Sequence, residues 1–422
     1  MRATSLRRAA LALVLVAAGR VAVDAQGPAA PPAPDRLDSI TISGLRRSTD
    51  PVVVGLLDLE PGDRLSLASL ARARRRLSEL PTGGTPSLDV QTAGHTRALA
   101  VHADERRLLP NGLMGWTTVA VRSVVTREVR LDVASPFRQG ELFQPAYRWA
   151  SKRPRVALGV SLPAPGALPG VLRVEGGWER QTYAASSTPQ SERLEERRRI
   201  GVSLSDWSAG WLRWEGGAFA DRFDARDYVS LEGGLGARLA ADHVALSTGL
   251  SHWRPSASSA AGGAAFTTLA LTAAWRSTVD ASLTGWTLRA GGRVSSSAAP
   301  LAVWPGASSG VGRGILLRAH PLLRDDVVTS EVFGRHLAFA NVERVQPLRH
   351  TRYGEIGAAV FLDAARAWRR LYTSAPSRLH ADLGAGLRLK VQTADSLRLD
   401  LGVGLRDGRV RLSAGYVTDW NW

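Results

Sequence analysis

Few residues in this 422-residue chain are of types and spacing that could carry a reaction. The eight histidines are scattered, with no His-x₃-His pair and no Glu-linked metal spacing, and the chain has no cysteine to serve as a ligand. Gly233-Gly-Leu-Gly236 has the glycine density of a phosphate loop. It lies inside a strand-like run with no helix after it, so it reads as relief of crowding in a curved sheet. A hydrolase built on a barrel would need Ser and His at matched heights on adjacent strands, and no such pair is identifiable. The reading is therefore of a non-enzyme, with no catalytic residue, no metal and no cofactor assigned. One carboxylate does ask for a partner. In Gly354–Trp368, Phe361 and Asp363 have the parity opposite to Ile356, Ala358, Val360 and Leu362. If the apolar row faces lipid, Asp363 faces an enclosed interior, where guanidinium is the best bidentate match. Any of the many arginines in the chain could fill that place.

The element that would position Asp363 is one of a long series. From Trp116 to Trp422, segment after segment is apolar at every second residue. In Val171–Arg180, Leu172, Val174 and Trp178 oppose Arg173, Glu175 and Glu179; in Tyr228–Leu239, Val229, Leu231, Leu235 and Leu239 oppose Glu232 and Arg238. In Leu397–Arg406, the leucines and Val403 oppose Arg398, Asp400 and Arg406. Period-2 alternation is the signature of strands with one oily and one wet face. A soluble sandwich alternates too, but here the wet face is full of Arg, Asp and Glu, and Trp or Tyr sits near segment ends. Transmembrane strands of ~9–11 residues need apolar-out, polar-in alternation and aromatic girdles. Lipid offers no partner to a free strand edge, so such a sheet must close. The spacing predicts an antiparallel transmembrane β-barrel of about sixteen strands over residues 115–422, with only short loops.

Upstream the chain is organised differently. A basic start, an apolar run from Ala9 to Ala18 and the small-residue exit Val23-Asp-Ala25 make residues 1–25 a secretory signal peptide. Residues 26–35 are a Pro/Ala linker. Residues 36–105 then read as a compact α+β unit. A strand around Ile40 and Ile42 stops at Gly44, and a short helix follows, capped by Asp50 with Pro51 at its first position. A second helix runs from about Leu65 to Leu80, with Leu67, Leu70, Ala73, Leu77 and Leu80 on one face. Arg72, Arg74, Arg75 and Arg76 form the other, solvated face. Strands at Leu88–Thr92 and Ala98–Ala103 complete a β-α-α-β-β order. The net charge of +16 would fit nucleic acid, but export argues against that partner. Arg-lined barrel interiors and anionic outer-leaflet lipid account for the charge equally well.

Together these pieces resemble the BamA/TamA superfamily of outer-membrane assembly and translocation barrels, in a surface-antigen-like form with a single POTRA-like domain. Three stretches carry the POTRA resemblance: Ile40-Thr-Ile-Ser-Gly44-Leu-Arg, Gly62-Asp-Arg-Leu-Ser66 and Leu99-Ala-Val-His-Ala-Asp-Glu105. The barrel resemblance is clearest from Gly310 onward. Leu317-Arg318-Ala319-His320-Pro321 is similar to the family's lumenal-loop motif, with Ala for Gly and His for the aromatic. Phe361-Leu-Asp363-Ala-Ala365 is similar to its Phe-x-Asp-x-Gly strand element, and Asn341-Val-Glu343-Arg344 to a strand end before it. Gly384-Ala-Gly386-Leu-Arg388 and Leu397-Arg-Leu-Asp400 resemble its penultimate strands.

The resemblance implies that Arg318 anchors a loop inside the barrel through Asp363, with Phe361 beside it and Glu343 as a second acceptor. It also implies that Tyr416, Trp420 and Trp422 form a C-terminal assembly signal. The expected function is assembly, insertion or translocation of client proteins by β-augmentation. The alternative is a transporter or pore, such as a two-partner secretion channel for one passenger. The implied partners are the outer-membrane bilayer and unfolded outer-membrane or secreted clients, with periplasmic chaperones or accessory subunits as further candidates. The implied location is the cell outer membrane, with the POTRA-like domain in the periplasm.

Overall fold

The computed structural model describes residues 36–422 apart from 85, 94–95, 111, 185–191, 257–262, 280–283, 308–315, 330, 352–353, 372–376, 392–394 and 419–422. Residues 1–35, Trp420 and Trp422 lie outside the described residues, and with them the expected signal peptide and Pro/Ala linker.

The N-terminal domain has the β-α-α-β-β order read from its sequence: β1 (Ser39–Ser43), α1 (Asp50–Leu57), α2 (Leu67–Ser78), β2 (Ser87–Ala93) and β3 (Thr96–His102). The strands form a three-stranded sheet in the order β1-β3-β2, with β1 parallel and β2 antiparallel to β3. Leu37, Val53, Leu56, Leu57, Ala73, Leu77, Leu99 and Val101 close its core. Three local readings are corrected. Thr49, not Asp50, is the N-cap of α1, and Asp50 is its first helical residue. Leu67 is 89% exposed because it sits at the first turn of α2, outside the apolar face. The arginine run is not uniformly solvated: Arg74 is exposed, but Arg75 and Arg76 are engaged. Arg76 is buried and grips Asp206 with both arms at 2.7 Å, while Arg75 reaches Gly210 O at 2.9 Å and also pairs with Asp242. Glu79 accepts from Trp207 Nε1 at 2.8 Å and from Arg213 Nε at 2.6 Å. The basic face of α2 is therefore the surface that docks on the barrel.

The second structure is a closed barrel of eighteen strand segments. They are β4 (Glu128–Arg130), β5 (Val133–Ala134), β6 (Leu142–Arg148), β7 (Arg155–Pro163), β8 (Val171–Ala184) and β9 (Glu192–Trp207). Next come β10 (Leu212–Phe223), β11 (Arg226–Leu239), β12 (Val244–Pro255), β13 (Phe266–Arg276) and β14 (Gly285–Ser295). The chain continues with β15 (Leu323–Arg324), β16 (Val327–Val328), β17 (His336–Thr351), β18 (Gly354–Trp368), β19 (Leu379–Val391), β20 (Asp395–Gly404) and β21 (Val410–Thr418). The number exceeds the sixteen read from the sequence because β4, β5, β15 and β16 are fragments of two or three residues. Long neighbours are antiparallel, so turns alternate between the two ends. The β9–β10 and β11–β12 turns meet the N-terminal domain, which places the β20–β21 turn at the other end.

The wall has the inside-out polarity that alternation predicts. Leu231 is 64% exposed and Leu401 51%, whereas Arg398, Asp400 and Asp363 are buried. Rows of exposed leucine over buried charge are stable where the outer medium is hydrocarbon. No helix among the described residues is long and apolar enough to cross a membrane.

Two features depart from the reading. Loops are not all short: β14 pairs directly with β17, and the described part of the segment from Ser296 to Arg335 lies off that ladder, β15 and β16 included. It packs inward, where Leu301, Trp304, Leu317, Leu322 and Phe333 join Tyr183, Trp253, Phe266 and Phe339 of the wall in one apolar cluster. Second, strand alternation does not begin at Trp116. Gly112–Thr126 is a helix, α3, lying beside both β4 and β21. Its exposed side carries Trp116, Thr117, Ala120, Val121 and Val124, and its half-buried side carries Val119, Arg122, Ser123 and Thr126. That is the reverse of a water-soluble amphipathic helix and suits a helix with lipid against its outer side. The sheet order closes from β21 to β4, while the ladder registers among the described residues join β21 to β20 and β4 to β6. Helix α3 thus covers the closing seam.

Candidate functional site

The inward loop brings Arg318 into the charged interior. Its Nη2 lies 2.6 Å from Glu343 Oε2 of β17, and its Nε lies 3.3 Å from Asp363 Oδ2 of β18 and 3.8 Å from Asp400 Oδ2 of β20. The guanidinium carbon sits 3.8 Å from the centre of the Phe361 ring, a cation–π approach. Register explains the convergence. Glu343 pairs with Phe361 and Asn341 with Asp363 across β17–β18, Phe361 with Gly384 across β18–β19, and Gly386 with Asp400 across β19–β20. Inward residues at one height on four neighbouring strands form a single patch.

The structure thus brings Arg318, Glu343, Phe361 and Asp363 together, with a different emphasis from the reading. Glu343 is the closer partner of Arg318. Asp363 accepts a hydrogen bond from Asn341 Nδ2 at 2.9 Å, and its contact with Arg318 is an ion pair without hydrogen-bond geometry. Tyr416 lies in β21 opposite Leu397.

Several members of the patch were not singled out as site residues from sequence. Arg388 holds Glu343 through two bonds of 2.9 and 2.8 Å and donates to Asp400 at 2.6 Å, and Arg398 donates to Asp400 at 2.6 Å. Three guanidinium groups therefore face three carboxylates. Fixed charges of both signs let each buried ion keep a partner, which burial requires. Asp382 holds the loop tip: it accepts from Ala319 N at 2.6 Å, His320 N at 3.3 Å and His320 Nδ1 at 2.5 Å. The available signal was parity, since Asp382 and Arg388 share the inward row of β19.

Close approach explains two glycines. A Cβ on Gly386 would stand 2.2 Å from Asp400 Oδ1, and one on Gly402 3.2 Å from Ala319 N. Ala319 itself is buried and avoids the left-handed region, so it sits without strain where the resemblance has glycine. Between the loop and β21 lies a cavity of about 390 Å³, lined by Arg127, Arg153, Arg318, Arg398 and Arg411, with Asp325 and Asp326.

A closed sheet, a long loop folded into its interior, and an arginine of that loop pinned between two wall strands define the geometry. CdiB from Escherichia coli superposes with a TM-score of 0.56 over 91% of this chain and 75% of its own, at 13% identity. This chain has the fold of a CdiB barrel. CdiB from Acinetobacter baumannii agrees, at a TM-score of 0.51 and 12% identity, covering 90% of this chain and 73% of that one. BamA from Haemophilus ducreyi lacking POTRA domains 1-3 scores 0.49 at 12% identity, over 90% and 84%. No protein-family model matches the sequence, and no curated protein does. The CdiB fold is the kind of barrel that the sequence resemblance implied.

Proposed function

We propose that this protein is a non-enzymatic outer-membrane factor that inserts or translocates unfolded polypeptide. The observation that carries the reading is Arg318, held inside the barrel by Glu343 and Asp363 on an inward loop. A loop fixed by buried ion pairs fills part of the interior, and a passing or inserting chain would have to displace it. The N-terminal domain supplies the receiving surface. Its edge strands β1 and β2 each pair with β3 alone among the described residues, and a client strand would add to such an edge whatever its sequence. The domain would stand in the periplasm, and residues 1–25 would direct export. The second form of the same activity is a two-partner secretion channel for a dedicated passenger, which likeness to CdiB supports. Partners would be the bilayer and unfolded clients, with chaperones or accessory subunits as further candidates.

The test is reconstitution in lipid vesicles with a urea-unfolded outer-membrane client. The protein should accelerate acquisition of protease-resistant client strands, and Arg318→Ala should reduce that acceleration. Equal rates with empty vesicles would contradict insertion activity.

A further inference from the structure

Sequence spacing gave no metal set, yet the fold assembles one at the tip of the inward loop. One ring nitrogen of His320, one of His380 and one carboxylate oxygen of Glu331 lie within 4.8 Å of one another. His320 and Glu331 come from the loop, and His380 from the start of β19. Asp407, in the β20–β21 turn, places Oδ2 3.2 Å from His320 Nε2. The two imidazole rings meet edge to face, with centroids 4.5 Å apart.

The support behind His320 is what distinguishes this group from a chance cluster. Asp382 is fully buried, and its Oδ1 stands 2.5 Å from His320 Nδ1. A carboxylate that takes the proton of Nδ1 fixes the tautomer and leaves the Nε2 lone pair facing outward, the usual second partner of a ligating histidine. Here Nε2 faces the Asp407 carboxylate at 3.2 Å.

We infer that His320, His380 and Glu331, with Asp407 or a water as fourth ligand, bind a divalent first-row cation of the zinc class. Two imidazole nitrogens with carboxylate oxygen suit zinc, whereas calcium and magnesium select all-oxygen sets. Tetrahedral ligands at roughly 2.0–2.2 Å require the donors to draw closer than 4.8 Å. That movement falls on Glu331 and Asp407, whose side chains are 36% and 34% exposed. Arg409 is the competitor: Nη1 donates to Glu331 Oε2 at 2.9 Å, and Nε lies 3.4 Å from Asp407 Oδ2. The ion would displace that guanidinium and tie the loop to both β19 and the β20–β21 turn, a second fastening beside Arg318. The site lies at the barrel end away from the N-terminal domain, open to solvent on the side of Glu331 and Asp407.

The experiment uses the full chain without a histidine tag, folded in detergent, stripped with chelator and titrated with zinc chloride by calorimetry. A single saturable ion per chain is expected, with Co²⁺ giving the visible bands of a tetrahedral site. His380→Ala, at a half-buried position, should weaken binding by more than about tenfold while heat-modifiability on gels stays normal. Arg409→Gln should strengthen binding by removing the competitor. No saturable binding in the millimolar range would overturn the inference, and so would zinc binding that His380→Ala and Glu331→Gln both leave unchanged.

Discussion

Arg318 Nη2 and Glu343 Oε2 stand 2.6 Å apart, with the side chains 10% and 16% exposed. On the next strand, Asp363 faces the same guanidinium at 3.3 Å. Glu343 is also held by Arg388, whereas among the described residues Asp363 has Asn341 as its further support. Removing Arg318 should therefore strand Asp363 more than Glu343. Loss of one member of a buried ion group costs roughly 3–5 kcal/mol. Arg318→Ala and Asp363→Ala should each lower the heat-modifiability midpoint, and the double variant should be no worse than the worse single. Strictly additive shifts would mean that the two do not interact.

The docking of the N-terminal domain rests on a second buried pair, Arg76 with Asp206. Asp206→Ala should leave the Arg76 guanidinium with only the exposed Asp58 at 2.8 Å. A stability loss of about 3 kcal/mol is expected, along with faster protease cleavage between residues 105 and 128. Cleavage at the parent rate would indicate that the domain is held elsewhere.

Residues 36–105 should also fold alone, since the β-α-α-β-β core closes mostly on its own leucines. The isolated segment should show a cooperative thermal transition with mixed helix and strand dichroism. A random-coil spectrum would count against a separable domain.

The same domain carries a pH-sensitive carboxylate. Burial alone would push Glu105 up, but the Ser48 hydroxyl and the N–H groups of Arg47, Arg46 and Ser48 together hold it below the usual carboxylate range. A depressed folded pKa means that the stabilisation is full above the unfolded value of about 4.3 and is lost as pH falls through the folded value. Glu105→Gln should cost about 1.5–3 kcal/mol at pH 7 and flatten the acid limb of the stability curve. An unchanged acid limb in the variant would show that Glu105 is not the group responsible.

The sequence reading reached the strands because side-chain period 2 is a local signal. Leu399 and Leu401 outward, with Arg398 and Asp400 inward, follow from alternation alone. Parity gives a side but not a height, which is why Glu343 as the nearer partner of Arg318 was not legible. Arg76 read as solvated because its partner, Asp206, arrives from a distant turn. Helix α3 was hidden for a related reason. Its apolar side faces outward, so the cue that marks a helix in water has the opposite sense here. His320 and His380 looked scattered because only the folding-in of the loop joins them.

The C-terminus supplies another test. In the sequence Trp420 and Trp422 continue the parity of Tyr416 and Leu412, and we propose them as the assembly signal. Deleting Asn421-Trp422 should sharply reduce membrane-inserted protein at unchanged synthesis. Normal insertion of the shortened chain would remove these residues from that role.

The central claim, that the barrel handles other polypeptides, is tested most directly by depleting the protein and quantifying the outer-membrane and secreted proteomes. The account predicts selective loss of one or more β-rich envelope or secreted proteins, restored by the parent chain and poorly by Arg318→Ala. An unchanged proteome after full depletion would contradict it.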